Sequence, residues 1–83
     1  MYLNAGNEEL LKKNIIGIFD LDTATVSKKT RDFLAAAEKA GSVNLLTYDL
    51  PRSFILTTEN GGQKVYLSQY AAATLAGRAE DIF

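Results

Sequence analysis

The chain has 83 residues, nine basic and ten acidic, giving a formal net charge of −1, and contains neither cysteine nor histidine. This excludes disulfides and thiolate metal sites and removes the usual zinc ligand and the usual general base. It is also not the strongly basic balance of a free-standing nucleic-acid binder. A domain of this length buries a modest fraction of its surface, and oligomerisation is a common source of the missing stability.

Residues 1–3 read as a short strand, stopped by the turn-rich Asn4-Ala5-Gly6-Asn7. The start lacks the charged and apolar regions of a signal peptide, and no apolar run approaches the roughly 18 residues of a membrane span. The expected location is cytoplasmic. Residues 8–13 form a polar connector that holds Leu10 and Leu11. Residues 15–21 are the strongest strand, with faces Ile16/Ile18 and Ile15/Phe19/Leu21. Apolar residues on both faces imply that both are covered, one of them by another subunit. Ile15, Phe19 and Leu21 are the expected oligomer contacts.

Thr23 or Thr25 can cap the next helix, placed at residues 26–40, and Gly41 can end it at C′. Val26, Thr30, Phe33, Leu34 and Ala37 make one stripe at helical spacing, with Lys28, Asp32 and Lys39 opposite. Residues 43–47 and 53–58 are further strands. Pro51 between them cannot donate to a ladder, so it marks an edge, a bulge or a strand start. Glu59-Asn60-Gly61-Gly62-Gln63 is a hairpin loop leading to a strand at 64–67. Ser68 can cap a short helix at 69–79, anchored by Tyr70, Ala73, Thr74 and Gly77 with Leu75 beside the stripe. The order β-β-α-β-β-β-α predicts a single α+β domain over residues 1–79, a small, mostly antiparallel sheet with one main helix and a short C-terminal one. Residues 80–83 read as a mobile tail.

Catalysis would have to be built from carboxylates, Lys, Tyr, Ser and Thr. Asp20 and Asp22 share a strand face and could hold magnesium through oxygen ligands, but aspartates at a strand end usually serve turns and caps. Ser27 and Ser53 have no histidine to activate them, and no Gly-rich loop opens a helix in a nucleotide-binding pattern. The expectation is a protein with no enzymatic activity and no cofactor or metal. Lys12, Lys13, Lys28, Lys29, Arg31 and Arg52 flank the main strand and the helix start. If they converge, phosphate contacts follow. Cations at a helix N-terminus are mildly unfavourable unless an anion sits nearby. The alternative is a solvated face balanced by Glu8, Glu9, Asp20, Asp22, Asp32 and Asp49.

Met1-Tyr2-Leu3-Asn4, Ile15-Ile16-Gly17-Ile18-Phe19-Asp20, Ser27-Lys28-Lys29-Thr30-Arg31-Asp32-Phe33-Leu34 and Asp49-Leu50-Pro51-Arg52-Ser53-Phe54 together carry a family resemblance. So does Lys64-Val65-Tyr66-Leu67-Ser68, followed by Ala73-Thr74-Leu75 and Arg78. In order and spacing these segments resemble the small bacterial extracellular-matrix regulators of the RemA/RemB family, more closely its RemB (YaaB-like) branch. The resemblance spans nearly the whole chain. It implies a transcriptional regulator of biofilm-matrix genes, and for the RemA branch a ring that binds DNA through basic residues on its rim. The arginine pair that follows Tyr-Gly in that branch is replaced here, because Tyr48-Asp49 leads into Leu50-Pro51 and Arg52 keeps the nearby basic group. A further family arginine falls at Asn14, just after Lys12 and Lys13. A homo-oligomeric regulator with phosphate-directed DNA binding is therefore expected. The alternative is an oligomeric interaction module without DNA affinity that supports another regulator protein.

Overall fold

The computed structural model describes residues 2–80. Over these residues the fold is α+β, with a two-stranded antiparallel ribbon, a four-stranded mixed sheet and three α-helices. The expected tail lies, from residue 81 onward, outside the described residues.

The sheet is organised around a hairpin of β5 (Ser53–Glu59) and β6 (Gly62–Ser68), paired from Ser53↔Ser68 to Glu59↔Gly62. Asn60 and Gly61 have φ of 51° and 80°. A type I′ turn needs both central residues at positive φ, which Asn-Gly accepts at least cost. β3 (Ile15–Asp20) lies antiparallel on the far side of β5, and β4 (Val43–Leu45) lies parallel to β6, giving the order β3-β5-β6-β4. Two of the three pairings are thus antiparallel.

The face assignment expected for β3 is corrected by a bulge. Ile15 pairs with Thr57 and Gly17 with Leu56, so the register shifts across Ile16. An extra residue breaks strict alternation. Ile15 and Ile18 both pack against the core, and Ile16 is left 56% exposed. From Gly17 onward the sides sort by register. Ile18, Ile55 and Tyr66 share one face, while Phe19, Phe54, Leu67 and Leu45 form a row across the other.

The first face carries the core of Leu3, Ala5, Leu10, Leu46, Ile55, Tyr66 and Leu75. Its cover is the ribbon of β1 (Tyr2–Asn4) and β2 (Glu9–Leu11), together with α3 (Ala72–Glu80). The expected connector at 8–13 is therefore a strand followed by a 3-10 turn at Lys12–Asn14. Leu3 pairs with Leu10, and this apolar cross-strand pair explains why so polar a segment becomes a strand. Ser68 does not cap a helix at 69. Its hydroxyl accepts from the Tyr70 N–H and donates to the Ala5 carbonyl, and the helix starts at Ala72. Leu75, expected beside the anchoring stripe, is fully buried.

The second face lies under α2 (Lys28–Lys39). Its C-terminus is a Schellman motif: Ser42 N–H donates to Ala37 O, Gly41 N–H donates to Glu38 O, and Gly41 has φ 73°. Its N-terminus differs from expectation, because the chain first makes a single turn, α1 (Leu21–Ala24). The Asp20 carboxylate caps that turn by accepting from the N–H groups of Asp22 and Thr23 at 2.9 and 3.3 Å. The Thr25 hydroxyl instead donates back to the Leu21 carbonyl. Ser27 stands at the N-cap of α2 and makes no side-chain cap bond.

Candidate interaction surface

The basic residues fall into two groups. Lys28, Lys29 and Arg31 share the first turn of α2. Arg52 precedes β5, and its carbonyl accepts from the Leu21 N–H at 3.0 Å. α1 and Arg52 thus meet at the end of the sheet where β3 finishes. Lys13 belongs to the opposite end, because Ile15 pairs with Thr57 while Asp20 pairs with Ser53. The structure does not join it to the helix group. Lys12 is a correction: it is 4% exposed, and its Nζ donates to the Arg78 carbonyl at the end of α3 at 3.4 Å. An ammonium group with its stem buried and its head on a helix C-terminal carbonyl is a structural cation, not a surface phosphate contact.

Within the helix group, Lys28 pairs with Asp32 at 2.9 Å with both side chains exposed, an i,i+4 contact of small energetic weight. Arg31 Nη1 donates to the carbonyls of Thr25 at 2.7 Å and Val26 at 3.1 Å. Its guanidinium thereby serves the carbonyls at the end of the α1 turn, in the geometry that favours cations there. Lys29 walls a cleft of about 260 Å³ lined by Phe19, Ala24, Thr30, Phe33, Phe54 and Leu56. Phe19 stacks on Phe54 at 4.9 Å between ring centroids on its floor.

The Lys13 end is acidic. Glu8, Glu9 and Glu59 line a cleft of about 490 Å³ with Tyr2, Asn14, Lys64 and Tyr66. The Tyr66 hydroxyl and the Thr57 hydroxyl both donate to Glu59 Oε2, at 2.8 and 2.9 Å. Those bonds, the tyrosine's first, hold the Glu59 carboxyl below its ordinary value. Burial first, and then the Glu59 bond and charge, push the Tyr66 hydroxyl up to about 12. Three carboxylates at that end oppose a phosphate at Lys13.

Of the expected oligomer contacts, Ile15 turns into the core because of the bulge, Leu21 is half-buried, and Phe19 is 41% exposed. The more exposed apolar residues lie outside that set: Leu45 at 60%, Leu50 at 88%, Tyr48 at 98%, and Val26 at 79%, which was expected on the apolar stripe of the main helix but stands before α2 begins at Lys28. Tyr48 and Leu50 flank Asp49 before Pro51, so their signal was apolar residues in a segment that Pro51 keeps out of a ladder. Asp20, weighed as a metal ligand, serves as the cap of α1. No cluster of three or more metal-ligating side chains occurs among the described residues. No helix among them is long and apolar enough to cross a membrane.

No family model matches this chain, and no curated protein matches it.

Proposed function

We propose that this protein is a non-enzymatic, homo-oligomeric bacterial regulator of extracellular-matrix gene expression, working in the cytoplasm and touching DNA through phosphates. The resemblance of its segments to RemA/RemB regulators, in order and spacing, supports the regulatory role. One observation carries the assembly. α2 has an apolar stripe through Phe33, Leu34 and Ala37, yet none of its 12 residues is buried. A helix normally buries such a stripe. Lys28, Lys29, Arg31 and Arg52, gathered at one end of the sheet, support the phosphate contacts, and an oligomer repeats that patch so that weak single contacts add through avidity.

A second reading, an oligomeric interaction module that supports another regulator, is favoured by the way the bases are engaged. Lys12 is buried, Lys28 pairs with Asp32, Arg31 serves backbone carbonyls and the net charge is −1. One experiment separates the two. Solution mass by light scattering and DNA retention at low and high salt are measured on the same sample. An oligomer with salt-dependent retention supports the regulator, an oligomer that ignores DNA supports the module, and a monomer at micromolar concentration defeats both.

A further inference from the structure

The row Phe19, Phe54, Leu67 and Leu45 crosses the whole sheet on the α2 face. Its middle is covered, with Phe54 3% exposed, but its ends lie on the sheet's two edge strands with Phe19 at 41% and Leu45 at 60%. An apolar row open at both edges is the cross-section of a sheet that continues. Edge strands are templates for pairing unless they are blunted; β4 is short and β3 carries its bulge at Ile16, before the row, and neither end of the row itself carries a lysine or proline.

The backbone agrees with the side chains. Leu21 N–H donates to the Arg52 carbonyl. In an antiparallel ladder the bonded residues alternate, so Phe19 turns its N–H and C=O toward β5, Ile18 turns both of its groups outward, and Asp20, whose C=O belongs to the first turn of α1, turns its N–H outward. On β4, the Ser42 carbonyl accepts from Val65 N–H and Leu46 N–H donates to the Leu67 carbonyl. Val43 and Leu45 therefore turn their groups outward. Among the described residues, no turn, loop or cap bond reaches the backbone of Ile18, Val43 or Leu45 or the N–H of Asp20. β3 and β4 also run in the same direction, since β3 opposes β5, β5 opposes β6, and β4 parallels β6.

We propose that the β3 edge of one copy pairs in parallel with the β4 edge of the next, with Phe19 opposite Leu45. In a parallel ladder, a residue whose groups face the partner stands opposite one whose groups face away, and this register satisfies that rule. Leu45 N–H reaches the Ile18 carbonyl, Asp20 N–H reaches the Leu45 carbonyl, and Val43 falls opposite Gly17. The same register runs the apolar row unbroken from copy to copy. The two edges of one chain thus complement each other. A two-fold pairing of β4 with β4, or β3 with β3, would leave the other edge of every copy uncovered. The contact is head-to-tail, so it closes into a ring or runs on as a filament. This inference rests on the homo-oligomer reading and names its interface.

The chain has no cysteine, so introduced thiols report this contact alone. Phe19→Cys and Leu45→Cys are made as separate chains, mixed in equal amounts and oxidised. The expected product is a disulfide-linked dimer of the two different chains, with neither variant cross-linking to itself. Light scattering of the unaltered protein is measured alongside. If the unaltered protein assembles but the mixture yields no mixed dimer, or Leu45→Cys links to itself, this interface is wrong and the oligomer reading stands. If the unaltered protein is a monomer, both fall. Leu45→Glu gives a second measurement, because a charge on an exposed edge position blocks pairing. It is expected to weaken self-association about tenfold or more with an unchanged circular dichroism spectrum. Unchanged association overturns the proposal.

Discussion

The Tyr66 hydroxyl donates to the Glu59 carboxylate at 2.8 Å, across the hairpin that organises the sheet. The pair makes stability depend on pH at both extremes. Glu59 titrates lower in the folded chain, so its contribution is present above the ordinary value of 4.5 and is lost as pH falls through the folded value. Tyr66 titrates higher, so its contribution is complete below 10 and is lost as pH rises toward about 12. Tyr66→Phe removes the alkaline effect and the largest part of the acidic one, leaving the Thr57 bond and the Lys64 charge on Glu59, and because the carboxylate is partly exposed it should cost about 1 kcal/mol. Chemical denaturation at pH 3, 7 and 11 checks this (pH values chosen about the ordinary carboxyl and phenol ranges). Parallel curves for the variant and the unaltered protein would remove the pair from the pH dependence.

Leu75 and Phe33 should separate under truncation. Leu75 has no exposed surface and packs in the core with Leu3, Leu10 and Ile55. Leu75→Ala should therefore cost about 2–5 kcal/mol. Phe33 is half-buried and borders two open clefts. Phe33→Ala should fall below the roughly 3–5 kcal/mol of a fully buried aromatic in the dilute chain, and its cost should grow with protein concentration if assembly covers the α2 face. Thermal melts at two concentrations test this. A concentration-independent loss as large as that of Leu75→Ala would place Phe33 in the chain's own core.

The strongest local signals in the sequence were correct. Asn60-Gly61 sets the hairpin and Gly41 ends α2, both through positive φ that local chemistry alone specifies. What failed depended on distant contacts. β2 forms because Leu3 lies opposite Leu10, and nothing in a polar 8–13 segment announces that pairing. The bulge at Ile16 leaves the apolar pattern intact while bringing Ile15 and Ile18, expected on opposite faces, onto the same inner side. Lys12 reads as one more surface base until α3 brings the Arg78 carbonyl onto it. Of the residues in the proposed edge contact, the sequence named Phe19 but not Leu45, because exposure at an edge depends on strand order.

Gly6 should tolerate no side chain. Its φ is 143°, and a Cβ there would lie 2.3 Å from the Leu46 carbonyl oxygen and 2.9 Å from Gln69 Oε1. The neighbouring Asn7 N–H donates to that same carbonyl, tying the ribbon's turn to the end of β4. Backbone strain of this kind alone costs of order 1–3 kcal/mol, and displacing Leu46 disturbs the core as well. Gly6→Ala should therefore lower the melting temperature clearly, while Gly61→Ala, with nothing within 4 Å, is strained without a clash and should cost less. Equal losses would mean that strain, and not the Leu46 contact, governs both positions.

DNA binding, where it occurs, should come from Lys28, Lys29, Arg31 and Arg52 at one end of the sheet, with Lys12 excluded by burial. The contacts should be mainly to phosphate, because among the described residues the exposed aromatics Tyr2, Phe19 and Tyr48 are single rings and not a stacking row on one sheet face. Each neutralised phosphate contributes about 0.9 to the log–log salt slope, so four bases give a slope no steeper than about 3.6 per chain. Lys28→Glu with Lys29→Glu should abolish retention. It replaces the exposed Lys28–Asp32 pair by a like-charge pair of small cost and puts a second carboxylate, at position 29, on the exposed rim of the Phe19 cleft, so light scattering on the variant must show the oligomer intact for the loss to be read as lost phosphate contacts. Lys12→Gln should act differently, lowering stability by removing the ammonium from the Arg78 carbonyl while leaving the salt slope unchanged. Titrations at several salt concentrations, with light scattering on the same variants, distinguish the two effects. Strong binding that ignores salt would place the contacts elsewhere, and retention that survives the double charge reversal would exclude the α2 group.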